Sequence, residues 1–294
     1  MSLDNITDFH VFTHDIQSSV AFPGPRRYSE LDASELAILD NLKGELIRNG
    51  EESGDPRFKL KVGRYIFRAQ RIAAGQYAVR AIPSRTMNIM EMGMRKEIVD
   101  YLLSPGLSKG GLVLICGQPG QGKTTTAAAT VTARLEKFGG YCLTIEDPPE
   151  YSIQGFHGRG FCEQMDADGK SDYALVDALR CFPSRVKSIL FFGEIRESVE
   201  ANHLLKMALC GHLVIATIHG GSAIAGLKRM LDLALLVDSS ASYNMAETLR
   251  AVLHQSLEGE HLAMTIIEAS DKVRGAILNN NISGLSSETR FSAL

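Results

Sequence analysis

A glycine-rich stretch at residues 117–124 has the composition of a loop that binds phosphate. It matches the pattern G-x-x-x-x-G-K-[ST] in full. Glycines at these positions let the backbone curl until successive N–H groups face a phosphate. Lys123 would reach the terminal phosphates of a nucleotide, and the Thr124 hydroxyl would ligate magnesium. The predicted phosphate-binding set comprises Gly117, Gln118, Pro119, Gly120, Gln121, Gly122, Lys123, Thr124 and Thr125.

Three further segments supply carboxylates and imidazoles that suit phosphoryl transfer. Glu146 lies in the segment 144–151, Glu194 lies in the segment 191–196, and His212 and His219 flank an apolar run at 213–218. Transfer of a phosphoryl group to water needs an oriented water molecule, a magnesium ion and cations around the developing charge. These side chains are therefore the candidate catalytic groups.

Four short apolar runs position these side chains. They lie at 112–116, 141–145, 189–192 and 213–218, and each reads as a strand buried on both faces. Helical stretches are predicted between them at 123–138, 172–181 and 198–210. This alternation predicts an α/β domain with a parallel sheet. Ligands of such sheets bind beyond the carboxyl ends of the strands, so Glu146, Glu194 and His219 should share one edge with the glycine-rich loop.

The first hundred residues predict a smaller α+β unit. Residues 32–35 have the form of a capping box that opens a helix, and Asn49-Gly50 would end it. Alternating apolar and polar residues at 58–62, followed by extended stretches at 65–72 and 77–82, predict a β-meander. The boundary is placed between residues 84 and 108, with domains at 1–95 and 96–294. From Tyr243 onward, apolar residues at near-helical spacing predict a helical tail.

The ordered motifs resemble the secretion ATPase superfamily of type II secretion, type IV secretion and type IV pili. Residues 117–124, 144–151, 191–196 and 211–219 are similar, in order, to its Walker A motif, Asp box, Walker B motif and His box. The resemblance runs from about residue 60 to 280 and is strongest to the pilus-retraction and type IVB secretion branch. It implies a RecA-like P-loop ATPase domain and a small N-terminal α+β domain of the PAS-like type.

The resemblance also implies roles for individual residues. Glu146 would orient water and Glu194 would hold magnesium, although these two roles could be exchanged. His212 and His219 would sense the γ-phosphate. Arginines would complete an ATP site shared between subunits, and the similar positions are Arg68, Arg80 and Arg180.

Several positions depart from the family pattern near the predicted Walker B strand. Ser184 stands where a second arginine is usual, Lys187-Ser188 replaces Pro-Asp, and Gly220-Gly221 follows the His box. These departures leave open whether hydrolysis is robust or is low and partner-dependent.

Composition narrows the possible partners. The net charge is −3 and no run of Lys or Arg appears, so direct nucleic-acid binding is not expected. The chain has no basic leader before an apolar stretch and no apolar run of about 20 residues, the length needed to cross a bilayer. We therefore expect a soluble protein, and the resemblance implies that it works in the cytoplasm and reaches the inner membrane by docking onto a partner there.

Three functions fit these observations. The first is an ATP-hydrolysing, homo-hexameric motor that acts on an inner-membrane pilus or secretion platform, with ATP and Mg²⁺ as cofactors. The second is a regulatory or scaffold ring that binds ATP with little hydrolysis. The third is a small-molecule kinase, against which the N-terminal meander and the paired histidines argue.

Overall fold

The computed structural model describes residues 8–22, 25–51, 56–63, 65–83, 86–167, 175–177, 180, 182–183, 188–259 and 261–292. Proximity of Cα atoms divides the chain into two compact units, Met1–Ser84 and Arg85–Leu294. Among the described residues, no helix is both long and apolar enough to cross a membrane.

The first unit contains an antiparallel six-stranded sheet in the order β3-β2-β1-β6-β5-β4. The strands are β1 Asp8–Phe12, β2 Val20–Phe22, β3 Arg26–Arg27, β4 Arg57–Val62, β5 Tyr65–Ala73 and β6 Gln76–Ile82. The last three pair consecutively, which confirms the predicted meander.

The helix of this unit, α1 (Ala33–Leu46), begins where the capping box predicts. Asp32 accepts hydrogen bonds from the N–H groups of Ser34 and Glu35, and Glu35 reaches back to the N–H of Asp32. Leu39, Leu42 and other apolar residues on one side of α1 pack against the sheet residues Phe9 and Phe67. Helix α1 therefore buries one side against the sheet of its own unit.

The second unit is built on a nine-stranded mixed sheet in the order β15-β14-β13-β7-β12-β11-β8-β10-β9. Its strands are β7 Gly111–Gly117, β8 Gly140–Glu146, β9 Gly155–His157, β10 Gly160–Asp166, β11 Ser188–Ile195, β12 Leu213–His219, β13 Leu249–Glu258, β14 His261–Glu268 and β15 Arg290–Ser292. The six strands from β13 to β10 pair in parallel. The four predicted strands occupy the centre of this sheet.

Helices cover both faces of the sheet, as the α/β prediction requires. They are α2 Lys96–Leu102, α3 Lys123–Phe138, α4 Ser198–Leu209, α5 Ala223–Leu235, α6 Ala241–Thr248 and α7 Asp271–Leu278. Alternate residues of β7 enter the two cores, since Leu112 and Leu114 pack with α4 to α7 whereas Val113 and Ile115 pack with α2 and α3. The predicted helix at 172–181 lies largely outside the described residues.

The prediction of a helical tail is wrong beyond residue 248. Leu249, Val252, Leu253 and Leu257 lie on strand β13, which pairs with β7 and β14. Leu249 and Val252 pack into one core and Ala251 and Leu253 into the other, so the apolar residues at 249, 252 and 253 also fit the i, i+3, i+4 spacing of a helix. Helical structure returns at α7.

Candidate active site

A cavity of about 300 Å³ lies at the carboxyl edge of the parallel strands in the second unit. The loop after β7 forms one side, and the ends of β8, β11 and β12 form the other. Its lining includes Pro119, Gly120, Gln121, Gly122, Lys123, Thr124, Glu146, Asp147, Pro148, Glu150, Gly193, Glu194, Arg196, Glu200, Thr217 and His219. The strand-end placement predicted for Glu146, Glu194 and His219 is thus observed.

The loop after β7 has the shape of an anion cradle. Gly120 and Gly122 both have φ of 75°, a left-handed conformation that residues with a Cβ rarely adopt. Helix α3 begins directly at Lys123, so the free N–H groups of its first turn and its positive dipole end face the cavity. Lys123 is 7% exposed, and its Nζ donates to the carbonyl of Gln118 at 3.0 Å. The backbone and the lysine therefore fit a phosphate group.

Strand β13 braces this loop from the side. The amide of Gln255 donates to the carbonyl of Gln121, and the N–H of Leu257 donates to the Gln121 side chain. A Cβ on Gly117 would come within 2.5 Å of the Gln255 carbonyl, so only glycine fits there. Sequence reasoning missed Gln255, because it lies more than 130 residues from the loop that it contacts.

Glu146 is a buried carboxylate at the end of β8, and only 3% of it is exposed. Its Oε1 accepts a hydrogen bond from the side-chain amide of Gln164 at 3.1 Å. Burial raises the pKa of Glu146, and hydrogen bonds, including that from Gln164, oppose this rise. The carboxylate therefore holds a proton more tightly than an exposed glutamate does.

Glu194 is held between two basic side chains at the end of β11. Its Oε1 lies 2.5 Å from Nε2 of His219, and its Oε2 accepts from Nε of Arg196 at 2.8 Å. Arg196 also donates its backbone N–H to Glu200, which lines the same cavity. Glu194 and His219 thus contact each other, although they stand on neighbouring strands 25 residues apart in sequence.

Carboxylates outnumber cations in the described lining. Five acidic residues face two permanent cations, Lys123 and Arg196. Burial lowers the pKa of Lys123, while the nearby Glu194 and Glu150 oppose this change. A triphosphate bound here would meet repulsion from these carboxylates, and a divalent cation would offset it.

The lining fits magnesium bound together with phosphate. Among the described residues, no cluster of three or more His, Cys, Asp or Glu side chains could hold a metal ion by itself. Thr124 and Glu194, the predicted metal residues, both line the cavity. Magnesium is commonly bound by one or two protein oxygens, with phosphate and water completing the shell, and this pair provides such a partial set.

Comparison with known families identifies the chain. The family described as "Type II/IV secretion system protein" matches residues 54–273. The chain belongs to this family. The predicted membership is therefore confirmed, and the P-loop, Glu146, Glu194 and both histidines lie within the matched residues.

Individual relatives agree with the family and the fold. The type II secretion system protein HxcR of Pseudomonas aeruginosa is 33% identical over 147 residues, which cover 50% of this chain and 29% of that protein. The chain thus spans less than a third of the length of HxcR.

Solved structures show the same fold. A crystal structure of the pilus retraction motor PilT with bound ADP has a TM-score of 0.73 at 22% identity and covers 96% of this chain and 84% of that chain. The ATPase DotB of Legionella pneumophila gives 0.71 at 19% identity, covering 97% and 85%. The predicted α/β fold with its small N-terminal unit is confirmed.

His212 is not among the described residues that line the cavity, whereas His219 is. It precedes the seven-residue strand β12, whereas His219 ends that strand beside Gly117. A strand of this length spans about 20 Å, so the two imidazoles lie at opposite edges of the sheet. His212 instead stacks on Phe182, with ring centroids 4.2 Å apart, and burial lowers its pKa. The part of His212 in sensing the γ-phosphate therefore stays a prediction.

None of the three predicted arginines is among the described residues that line this cavity. Arg68 and Arg80 are register partners on β5 and β6 of the first unit, and Nε of Arg80 lies 2.6 Å from Asp8. Arg180 is exposed and pairs with Asp177 at 3.1 Å. Their part in an ATP site shared between subunits stays a prediction.

Two side chains near the cavity were not predicted to act there. Arg196 stands two residues after Glu194 and lines the cavity. Its position just after a predicted strand could have marked it as a site residue from the sequence. Gln164 lies on β10, for which no strand was predicted, and no local motif marks it. Its contact with Glu146 depends on the pairing of β10 with β8.

Proposed function

We propose that the chain is an ATP-hydrolysing subunit of a hexameric motor that powers a type IV pilus or a type II/IV secretion machine. One observation carries the proposal: a single cavity gathers the phosphate loop, Lys123 and Thr124 with two carboxylates from neighbouring strand ends. This set supplies what phosphoryl transfer to water requires. Membership of the secretion family supports the cellular role.

The environments of the two carboxylates support different roles. Both oxygens of Glu194 are engaged, one by Arg196 and the other by Nε2 of His219, whereas Glu146 contacts the neutral amide of Gln164. Burial raises the pKa of Glu146, which makes its carboxylate the stronger base. We therefore assign the attacking water to Glu146, and the magnesium shell to Glu194 with Thr124. Magnesium, when bound, would neutralise charge on the phosphates.

The proposed setting is the cytoplasmic face of the inner membrane. No described helix could span a bilayer, so contact with the membrane would come through a pilus or secretion platform protein. The carboxylates lining the cavity call for cations beyond Lys123 and Arg196. Arginines from a neighbouring copy in a ring would supply them, and this need supports a shared site.

An ATP-binding scaffold with little hydrolysis is the second candidate. The observation that favours it is the pairing of Glu194 with both Arg196 and His219, because a carboxylate engaged in this way must be released before it can serve magnesium.

Single-turnover hydrolysis distinguishes the two functions. With Mg²⁺ present and protein in excess over ATP, the purified native protein should release phosphate. The Glu194→Gln variant should bind ATP but leave it intact. Equal, negligible release by both proteins would contradict the motor and support the scaffold.

Arg80→Ala is expected to lower ATP turnover at least tenfold without weakening nucleotide binding by isolated subunits. An arginine that reaches a shared site stabilises the transition state in the assembled ring, so its loss affects turnover rather than binding. Steady-state phosphate release at ring-forming concentration and nucleotide titration at low concentration measure the two quantities.

The matched control for Arg80→Ala is Arg48→Ala. Arg48 also lies in the first unit, is exposed, and forms an ion pair with Glu45 at 3.0 Å within its own helical segment. Such surface pairs contribute little to stability, so this variant should keep its turnover. Equal turnover by Arg80→Ala and the native protein would argue against a role for Arg80 in a shared site.

A further inference from the structure

The side-chain amide of Gln164, which contacts Glu146, takes part in four hydrogen bonds. Gln164 is on β10, opposite Thr144 of β8, and the next pair on the same face is Asp166 with Glu146. Its Nε2 donates to Glu146 Oε1 at 3.1 Å and to the Tyr151 carbonyl at 2.9 Å. Gln164 is not part of the cavity lining, so it reaches the site through Glu146.

The surrounding backbone fixes which way this amide points. Its Oε1 accepts from the N–H groups of Ile153 at 2.8 Å and Gln154 at 3.0 Å. Reversing the amide would set its NH₂ against two donors and its oxygen against two acceptors. The NH₂ therefore always faces Glu146, and an NH₂ can only donate. This contact favours the ionised form of Glu146, which is the form that accepts a proton from water.

The same amide connects Glu146 to the helix that follows the phosphate loop. Tyr151, whose carbonyl accepts from Gln164, places its hydroxyl 2.7 Å from the Thr125 hydroxyl on α3. Two side chains thus join the first turn of the nucleotide-binding helix to the buried carboxylate. A displacement of the first turn of α3 would therefore be transmitted to Glu146 through Tyr151 and Gln164.

We propose that Gln164 is a positioning residue, which holds one carboxylate oxygen of Glu146 so that Glu146 orients the attacking water. This inference rests on the proposed ATP hydrolysis and extends it to a residue outside the cavity. The two ends of the Gln164 amide have different partners, because its oxygen anchors the segment 153–154 while its NH₂ engages Glu146 and the Tyr151 carbonyl.

Gln164→Glu distinguishes the two ends of this amide. A glutamate has the same shape and still accepts from both backbone N–H groups, but once ionised it cannot donate to Glu146 or to the Tyr151 carbonyl. We expect single-turnover hydrolysis to fall at least about tenfold, within the range of general-base effects. The dissociation constant for ADP should stay within about twofold, since the phosphate loop is unchanged.

The matched control is Gln154→Ala. Gln154 accepts the backbone N–H of Gln164 at 2.6 Å and is exposed, but its side chain does not engage Glu146 in the described contacts. This variant should hydrolyse ATP at the native rate. Native turnover by Gln164→Glu, or an equal loss in both variants, would overturn the positioning role.

A melting cycle with Glu146→Gln gives a readout that does not require activity. Gln164→Glu alone sets two carboxylates together and should lower the Tm by about 3 °C or more at pH 8. Adding Glu146→Gln restores a donor–acceptor pair in the reverse sense, so Glu146→Gln should raise the Tm by more in the Gln164→Glu background than it does in the native protein. Additive shifts would show that the two side chains do not interact and would overturn the proposal.

The two measurements separate failure of this inference from failure of the proposed function. A native protein that binds ATP without hydrolysing it would contradict the motor. A non-additive melting cycle in that protein would leave the contact in place but assign it to stability, and the positioning role would be rejected. Non-additive melting together with slowed hydrolysis supports both proposals.

Discussion

Lys123→Ala is expected to weaken ATP binding about 100-fold, which corresponds to roughly 3 kcal/mol. Lys123 is one of two permanent cations in the described lining of a cavity that contains five carboxylates. Its removal leaves the phosphates facing those carboxylates with Arg196 alone to balance them. The loss should appear in a fluorescent-nucleotide titration with Mg²⁺, and turnover should fall with it.

The matched control is Lys228→Ala. Lys228 is an exposed lysine on α5 that pairs with Asp232 at 2.7 Å, outside the cavity lining. An ion pair between residues four positions apart on an exposed helix contributes about a few tenths of a kcal/mol, so Lys228→Ala should retain both nucleotide binding and folding. Native affinity in Lys123→Ala would overturn the assignment of the phosphate site, because no other lysine is among the described residues that line the cavity.

Sequence predicted the parts of this site that are encoded locally. The phosphate loop needs glycine, lysine and threonine at fixed offsets, and each parallel strand needs a short apolar run. Glu146, Glu194 and His219 could be placed together because parallel strands bring their carboxyl ends to one edge. The structure describes all three in the same cavity lining.

Contacts between distant segments were not predictable in the same way. Gln164 and Gln255 touch the site through strand pairings that bridge 18 and 134 residues. Glutamine has no spacing rule that marks it as functional, so only the pairing of strands reveals these contacts. His212 and His219 are close in sequence, but a seven-residue extended strand separates them, so only His219 is among the described residues that line the cavity.

The tail shows a limit of periodicity. Strand β13 lies between β7 and β14 and is apolar on both faces. Its leucines satisfy a helical pattern by coincidence, and the competing tertiary pairing decided the structure. That strand also braces the phosphate loop through Gln255, so the misread segment belongs to the site rather than to a separate tail.

Glu146→Gln is expected to lower the single-turnover rate of ATP hydrolysis about 100-fold or more, the range found for loss of a general base. The amide keeps the shape of the carboxylate but cannot take a proton from water. Nucleotide affinity should stay near native, because Lys123 and the loop N–H groups are unaltered. Rapid-quench measurement with protein in excess over ATP separates these effects.

The same substitution should stabilise the fold as pH rises. Burial raises the pKa of Glu146, so the folded state holds its proton more tightly than the unfolded chain does. Ionisation of Glu146 therefore lowers the free energy of unfolding progressively above the ordinary carboxyl value of 4.5, up to its raised folded pKa. Glutamine does not ionise, so the Tm of Glu146→Gln should exceed that of the native protein at pH 8 and match it near pH 4.

Glu136→Gln tests whether this pH dependence belongs to the buried site. Glu136 is an exposed carboxylate on α3, so the same chemical change there should leave both turnover and the pH dependence of Tm unaltered. Native turnover in Glu146→Gln would contradict the assignment of the attacking water to Glu146 and would favour Glu194 for that role. A Tm difference independent of pH would show that Glu146 is not held in a buried, ionised form. Loss of turnover with a gain of stability at high pH would instead mean that the protein retains a destabilising buried charge because hydrolysis requires it.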